Sequence, residues 1–144
     1  MAVPVVATID YVILPAIMLG LVIGFIELIF VHMDEAGMGW VTHAAHAIPV
    51  TIIFTFITMN VPWVLSLLAT KAGINIASNA MTELGVIILI GIIAMVKTMA
   101  AAAIAGRTVG EKKIHIIIIG ILIVAAPYAW KFFLKAIIGR YLPF

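Results

Sequence analysis

Cysteine is absent from the chain. That removes disulfides, thiolate metal sites, iron–sulfur clusters and covalently attached haem. Charge is scarce as well. Lys, Arg, Asp and Glu make up 10% of 144 residues, against about a quarter in soluble domains. So few charges cannot cover a water-facing surface. Recognisable catalytic motifs are also missing. There is no Walker loop, no GxSxG and no HExxH, and no Ser–Lys or Ser–His pair marks a nucleophile. No catalysed reaction can be named. The pI near 9.1 rests on only eight basic residues against six acidic ones. No dense basic run with interleaved aromatics occurs, so nucleic acid is not an expected partner. Fixed-period repeats and low-complexity tracts are absent too.

What is present is apolar sequence: 66% of residues are hydrophobic and the mean hydropathy is +1.34. One membrane crossing takes about 20 apolar residues over about 30 Å of hydrocarbon. The length therefore holds four crossings with short connections and no large extramembrane domain. The segment before the first apolar run lacks the positive region of a signal peptide, so that run is read as a permanent helix. The expected fold is all-α: a polytopic four-transmembrane-helix bundle with short loops, forming a single transmembrane domain over residues 1–144. The helices are expected at about 5–32, about 42–70, about 76–106 and about 114–140. The expected localisation is the cell membrane, as a multi-pass integral protein. Expected partners are the lipid bilayer and other membrane subunits or further copies of this chain.

Local signals refine each segment. In the first, Gly20 and Gly24 form a GxxxG spacing that lets two backbones approach closely in lipid. Gly37 and Gly39 break the chain, and Thr42 is a candidate cap for the second segment. Within that segment Asn60 and Pro62 predict a kink, with Thr58 and Asn60 placed to satisfy a freed carbonyl. In the fourth, Trp130 and Lys131 resemble an interfacial boundary. The tail beyond them either extends the helix or lies along the interface. Lys71, Lys131, Lys135 and Arg140 balance Arg107, Lys112 and Lys113 across the two sides, so the positive-inside rule leaves orientation open.

Two groups of residues carry candidate chemistry. The first is a polar cluster at the first connection: His32, Asp34, Glu35, His43 and His46. On a helix His43 and His46 are i and i+3 and share a face. Two imidazoles with carboxylates folding back supply nitrogen and oxygen ligands suited to a divalent transition metal. The same residues also suit wetted helix ends that need no ligand, the commoner role of such residues at a membrane boundary. Haem would need imidazoles facing each other from different helices, and His43 and His46 share one while His115 opens another. The second group consists of ionisable residues inside apolar sequence: Glu27, Glu83 and Lys97. Such residues are functional candidates by default. Glu27 together with histidines, which titrate near neutrality, suits proton passage. A purely structural pairing of Glu27 with Lys97 or with a backbone group is the competing expectation.

Three functions are compatible with this pattern. The chain is read first as an accessory or structural subunit of a larger membrane complex. The second reading is a homo-oligomeric proton or cation channel or carrier. The third is a metal-binding membrane protein or metal-dependent enzyme built on the His/Asp/Glu cluster.

Overall fold

The structure is a computed structural model that describes residues 11–34, 39–104 and 112–142, backbone only from 100 to 104. Every element among these residues is helical. The order is α1 (Ile13–Asp34), α2 (Trp40–Met59), α3 (Val61–Ala72), α4 (Ala80–Ile104), α5 (Lys113–Ala129), a π-helical turn (Trp130–Leu134), α6 (Lys135–Ile138) and a 3₁₀ turn (Gly139–Tyr141). Among the described residues four helices are long and apolar enough to cross a membrane: Ile13–Asp34, Trp40–Met59, Ala80–Met99 and Lys113–Tyr141.

The bundle is organised around the α1–α2 crossing. A Cβ placed on Gly20 would stand 2.6 Å from the Cα of Ile52, and one on Gly24 would stand 3.0 Å from the Cα of Ile48. The GxxxG pair is therefore spent inside the chain, seating α2 backbone directly on α1. The Thr51 hydroxyl reaches the Gly20 carbonyl at 3.1 Å across this contact. A second close approach joins α4 to α5, where Gly91 takes the Val124 side chain and Gly120 takes Met95. One core cluster holds Ala16, Ile23, Met59, Ala94, Ile119, Ile123, Ala126 and Trp130. Another gathers Val61, Leu65, Ile87 and Ile90, with α3 seated on α4. The outward faces are apolar, as lipid would require, and include Val22, Phe25, Ile53, Leu89 and Val96.

Several boundaries differ from the expected ones, each for a local reason. The first helix starts at Ile13, because the Asn60 side chain takes both backbone groups of Val12. Its Oδ1 accepts from the Val12 N–H at 2.8 Å, and its Nδ2 donates to the Val12 carbonyl at 3.4 Å. The expected second helix is two helices, divided at Asn60. There the backbone N–H of Asn60 turns to the Ile57 carbonyl, which leaves the Phe56 carbonyl unserved. The Asn60 side chain donates to that carbonyl at 2.8 Å. Pro62 then occupies the first turn of α3, where a proline costs least. Thr42 lies within the first turn of α2, and Gly39 is its cap residue. The third helix starts at Ala80, because Asn79 Oδ1 caps it by accepting from the N–H groups of Met81 and Thr82.

The fourth segment continues past Trp130, and that residue is buried in the core. The tail beyond it continues the helix through Tyr141. Pro127 has no N–H for the carbonyl of Ile123 four residues back. Thr58 of α2 stands 3.3 Å from that carbonyl with its hydroxyl. A proline break in one helix is thus met by a threonine from another.

The glycine contacts yield a test. Replacing Gly20 with Ala should force α1 and α2 apart and cost about 1–3 kcal/mol, read from unfolding in mixed micelles. Gly85→Ala, inside α4, should leave stability unchanged or raise it slightly, because a Cβ there meets nothing within 4 Å and Ala is the better helix former. Equal stability of Gly20→Ala and the native chain would contradict the crossing.

Candidate functional site

Most of the polar residues singled out above lie at one end of the bundle, where α1 ends and α2 and α5 begin. They form two separate clusters on opposite sides of α1, because His32 and Asp34 are two residues apart and a helix turns by about 200° over that step.

On one side, His32 meets His43. Their Nδ1 atoms are 3.3 Å apart, and the rings lie edge to face with centroids 5.4 Å apart. The His32 ring is stacked on Trp40 at 3.7 Å. His43 is wholly buried, while His46, one turn further on, is exposed.

On the other side, Asp34 turns to α5. Its carboxylate, 1% exposed, accepts from His115 Nδ1 at 2.5 Å and from the backbone N–H of Lys112 at 2.8 Å. Lys112 Nζ stands 3.4 Å from the other carboxylate oxygen; the geometry is that of a charge contact and not of a hydrogen bond. The imidazole of His115 is stacked on Phe30 at 4.2 Å. Asp34 thus caps α5 from a different helix. Its negative charge faces the positive end of that helix's dipole and the lysine beside it.

Two turns below Asp34, on the same face of α1, lies Glu27. It is 3% exposed, and among the described residues its Oε2 has no hydrogen-bond partner. Burying a polar oxygen without a partner costs about 1–3 kcal/mol by mutational measure, and more when it is charged. Beyond it runs a stripe along α2 that sequence reasoning missed. His43, Ala47, Thr51, Thr55 and Thr58 follow one another at steps of four, four, four and three residues, and all are buried. Thr51 and Thr58 find carbonyl acceptors, whereas Thr55 Oγ1 has no partner among the described residues. Asn60 closes the stripe at the far end. The spacing was visible in the sequence as threonines recurring at helical period. The Asp34–His115 contact had no local signal, since the two residues are 81 apart.

The five-residue metal set is divided by this arrangement. His32 and His43 come together, Asp34 is taken by His115 and Lys112, His46 faces outward, and Glu35 lies outside the described residues. Among the described residues no three of His, Asp and Glu gather as a metal-binding group. Glu83 and Lys97 do not meet. Glu83 accepts from the Ser78 hydroxyl at 2.6 Å in the first turn of α4. Lys97 is exposed on the outer face of that helix, away from Glu27. Comparison with protein-family models, curated proteins and solved structures finds no match.

Asp34→Ala removes the cap of α5 and the aim of His115. A loss of about 1–2 kcal/mol is expected, with faster hydrogen exchange of the amides of residues 112–116. Protection unchanged from the native chain would show that α5 does not depend on Asp34.

Proposed function

We propose that this chain is a small multi-pass membrane protein that passes protons or small cations along the inside of its own bundle, with Glu27 as the carrier group. The observation that carries the reading is the Glu27 carboxyl: buried at 3% exposure, with Oε2 unpartnered among the described residues, in a stretch of α1, residues 13–31, that is otherwise apolar.

Position adds support. The midpoints of α1 and α2 lie at the level where Gly24 meets α2 between Ile48 and Thr51. With about 1.5 Å of rise per residue, Glu27 lies about 5 Å from that level. His43 lies about 10 Å from it on the same side. Thr51 is close to it, while Thr55 and Asn60 lie about 8 Å and about 16 Å away on the other side. If this level is the bilayer centre, polar side chains follow one another across most of the hydrocarbon thickness. Asp34 and His115 lie at the same end as a carboxylate–imidazole pair, already engaged with each other and with Lys112.

The test is flux in liposomes. Glu27→Gln keeps the shape of the side chain and removes its ionisation. Proton or cation flux is expected to fall about 10²-fold or more, the scale on which a positioned proton-transfer group contributes. Flux equal to that of the native chain would overturn the reading. It would then favour the accessory-subunit reading, which has its own observation in Lys97. That residue is exposed beside Ile93 and Val96 on the apolar outer face of α4. A lysine there calls for an acidic group from another chain or for a headgroup reached by snorkelling.

A further inference from the structure

Lys97 stands exposed on the outer face of α4, among the exposed apolar side chains of Leu89, Ile92, Ile93 and Val96. Among the described residues no carboxylate pairs with it. What such a lysine does depends on its depth. Near a helix end it lifts its amine to the headgroups, whereas near the bilayer centre it is answered inside the membrane.

Two sets of contacts give the depth, measured from the level where Gly24 meets α2. The first runs through α5. The His115 ring is stacked on Phe30, six residues past Gly24, and Gly120 lies five residues further along the opposite-running α5. Rises of about 9 Å and about 8 Å nearly cancel, so Gly120 is close to that level. The side chain of Met95 fills the space at Gly120. Lys97 is then about 3 Å from the level, toward the Asp34 end. The second set runs through α3. Ile87 and Ile90 share a core cluster with Val61, which lies about 17 Å beyond the middle of α2. Lys97 follows Ile90 by seven residues and Ile87 by ten, about 10–15 Å back along α4. That places it about 2–7 Å on the other side of the level.

The two routes bracket the middle of the bundle. With that level at the bilayer centre, the nearer hydrocarbon edge is about 8 Å or more from the Lys97 backbone. An extended lysine side chain covers about 6 Å and stops short of it. The helix also runs on to Ile104 through Thr98, Met99 and four alanines, about 10 Å without another charge. Alanine is a residue type that lets helices approach closely in lipid.

A second copy of this chain brings no counter-charge among the described residues. In a twofold pair the two lysines would meet at one depth. Glu27 and Asp34 are buried in their own bundle. Glu83 is fourteen residues up the same helix, about 21 Å away. The complement of Lys97 is a carboxylate from a different chain.

We infer that the outer face of α4, from Leu89 to Lys97, docks a transmembrane helix of another protein that carries a carboxylate at mid-depth, paired with Lys97. The inference adds a partner and does not depend on the Glu27 route.

The test is association in liposomes, read by fluorescence transfer, of the full-length chain with a leucine-rich transmembrane peptide bearing one Glu at its middle. The same peptide with Gln is the reference. The Glu peptide should bind about 5–30-fold tighter, the range of a polar contact between helices in lipid. Lys97→Met places an apolar side chain on an apolar face, so folding is not at risk, and it should abolish the difference. Lys131→Met and Glu27→Gln should keep it. Lys97→Glu should instead prefer a peptide with a central Lys. Equal binding of the Glu and Gln peptides by the native chain would overturn the inference, as would a preference that survives in Lys97→Met. A stronger preference for Glu at the peptide's end would also overturn it, showing that the amine reaches the headgroups. Self-association of the native chain that is lost in Lys97→Met would overturn it in favour of a second copy.

Discussion

The contact of α2 backbone with Gly20 and Gly24 of α1 is the constraint on which the remaining geometry depends. Without side chains at those two positions the helices meet at backbone distance, and their register is set. That register puts Thr51 at the Gly20 carbonyl and His43 opposite His32. It also turns the threonine face of α2 into the bundle. A one-residue rotation of α2 would move this polar stripe about 100° toward the outside. Polar groups in an apolar solvent have no water to fall back on, so the glycine contact and the polar stripe support each other.

The same constraint explains how the helix breaks are handled. Prolines and turns free carbonyls that a soluble protein could leave to solvent. Here the Phe56 carbonyl is served by Asn60 and the Ile123 carbonyl by Thr58. The start of α5 is served by Asp34. Each repair joins parts distant in sequence or turns a helix end, so the polar residues double as the ties between helices. Against that economy the unpartnered oxygens of Glu27 and Thr55 stand out. Both lie on the inner faces, and neither contributes a tie. Groups that cost stability and secure no contact are where function is most reasonably sought.

Much of the architecture was legible in the sequence. Long apolar runs gave the helical class and the four helices long enough to cross a membrane. The GxxxG spacing marked the closest crossing, and Asn60 with Pro62 marked the division of the second segment. Boundaries were less legible where a distant side chain decided them. Asn60 takes the backbone of Val12 from 48 residues away, and no local pattern announces it. The polar cluster was visible as a group of residue types but not as a geometry. Helical rotation separates His32 from Asp34, and α5 supplies His115, whose arrival depends on the whole bundle. The threonine stripe was readable in principle. It was passed over because threonine is mildly polar and tolerated in apolar helices, so only its period distinguishes it.

Whether the inner face of α2 is a passage or merely a packing seam is decided by its contact with water. A chain without cysteine makes this directly measurable: single cysteines at Thr51, Thr55 and Thr58, with Ile53 on the outer face as the comparison, can be exposed to aqueous silver ion in liposomes. A passage requires reaction at the three stripe positions and none at Ile53. Silence at Thr51, Thr55 and Thr58 would mean that the stripe is sealed, and the proposed route through the bundle would be contradicted.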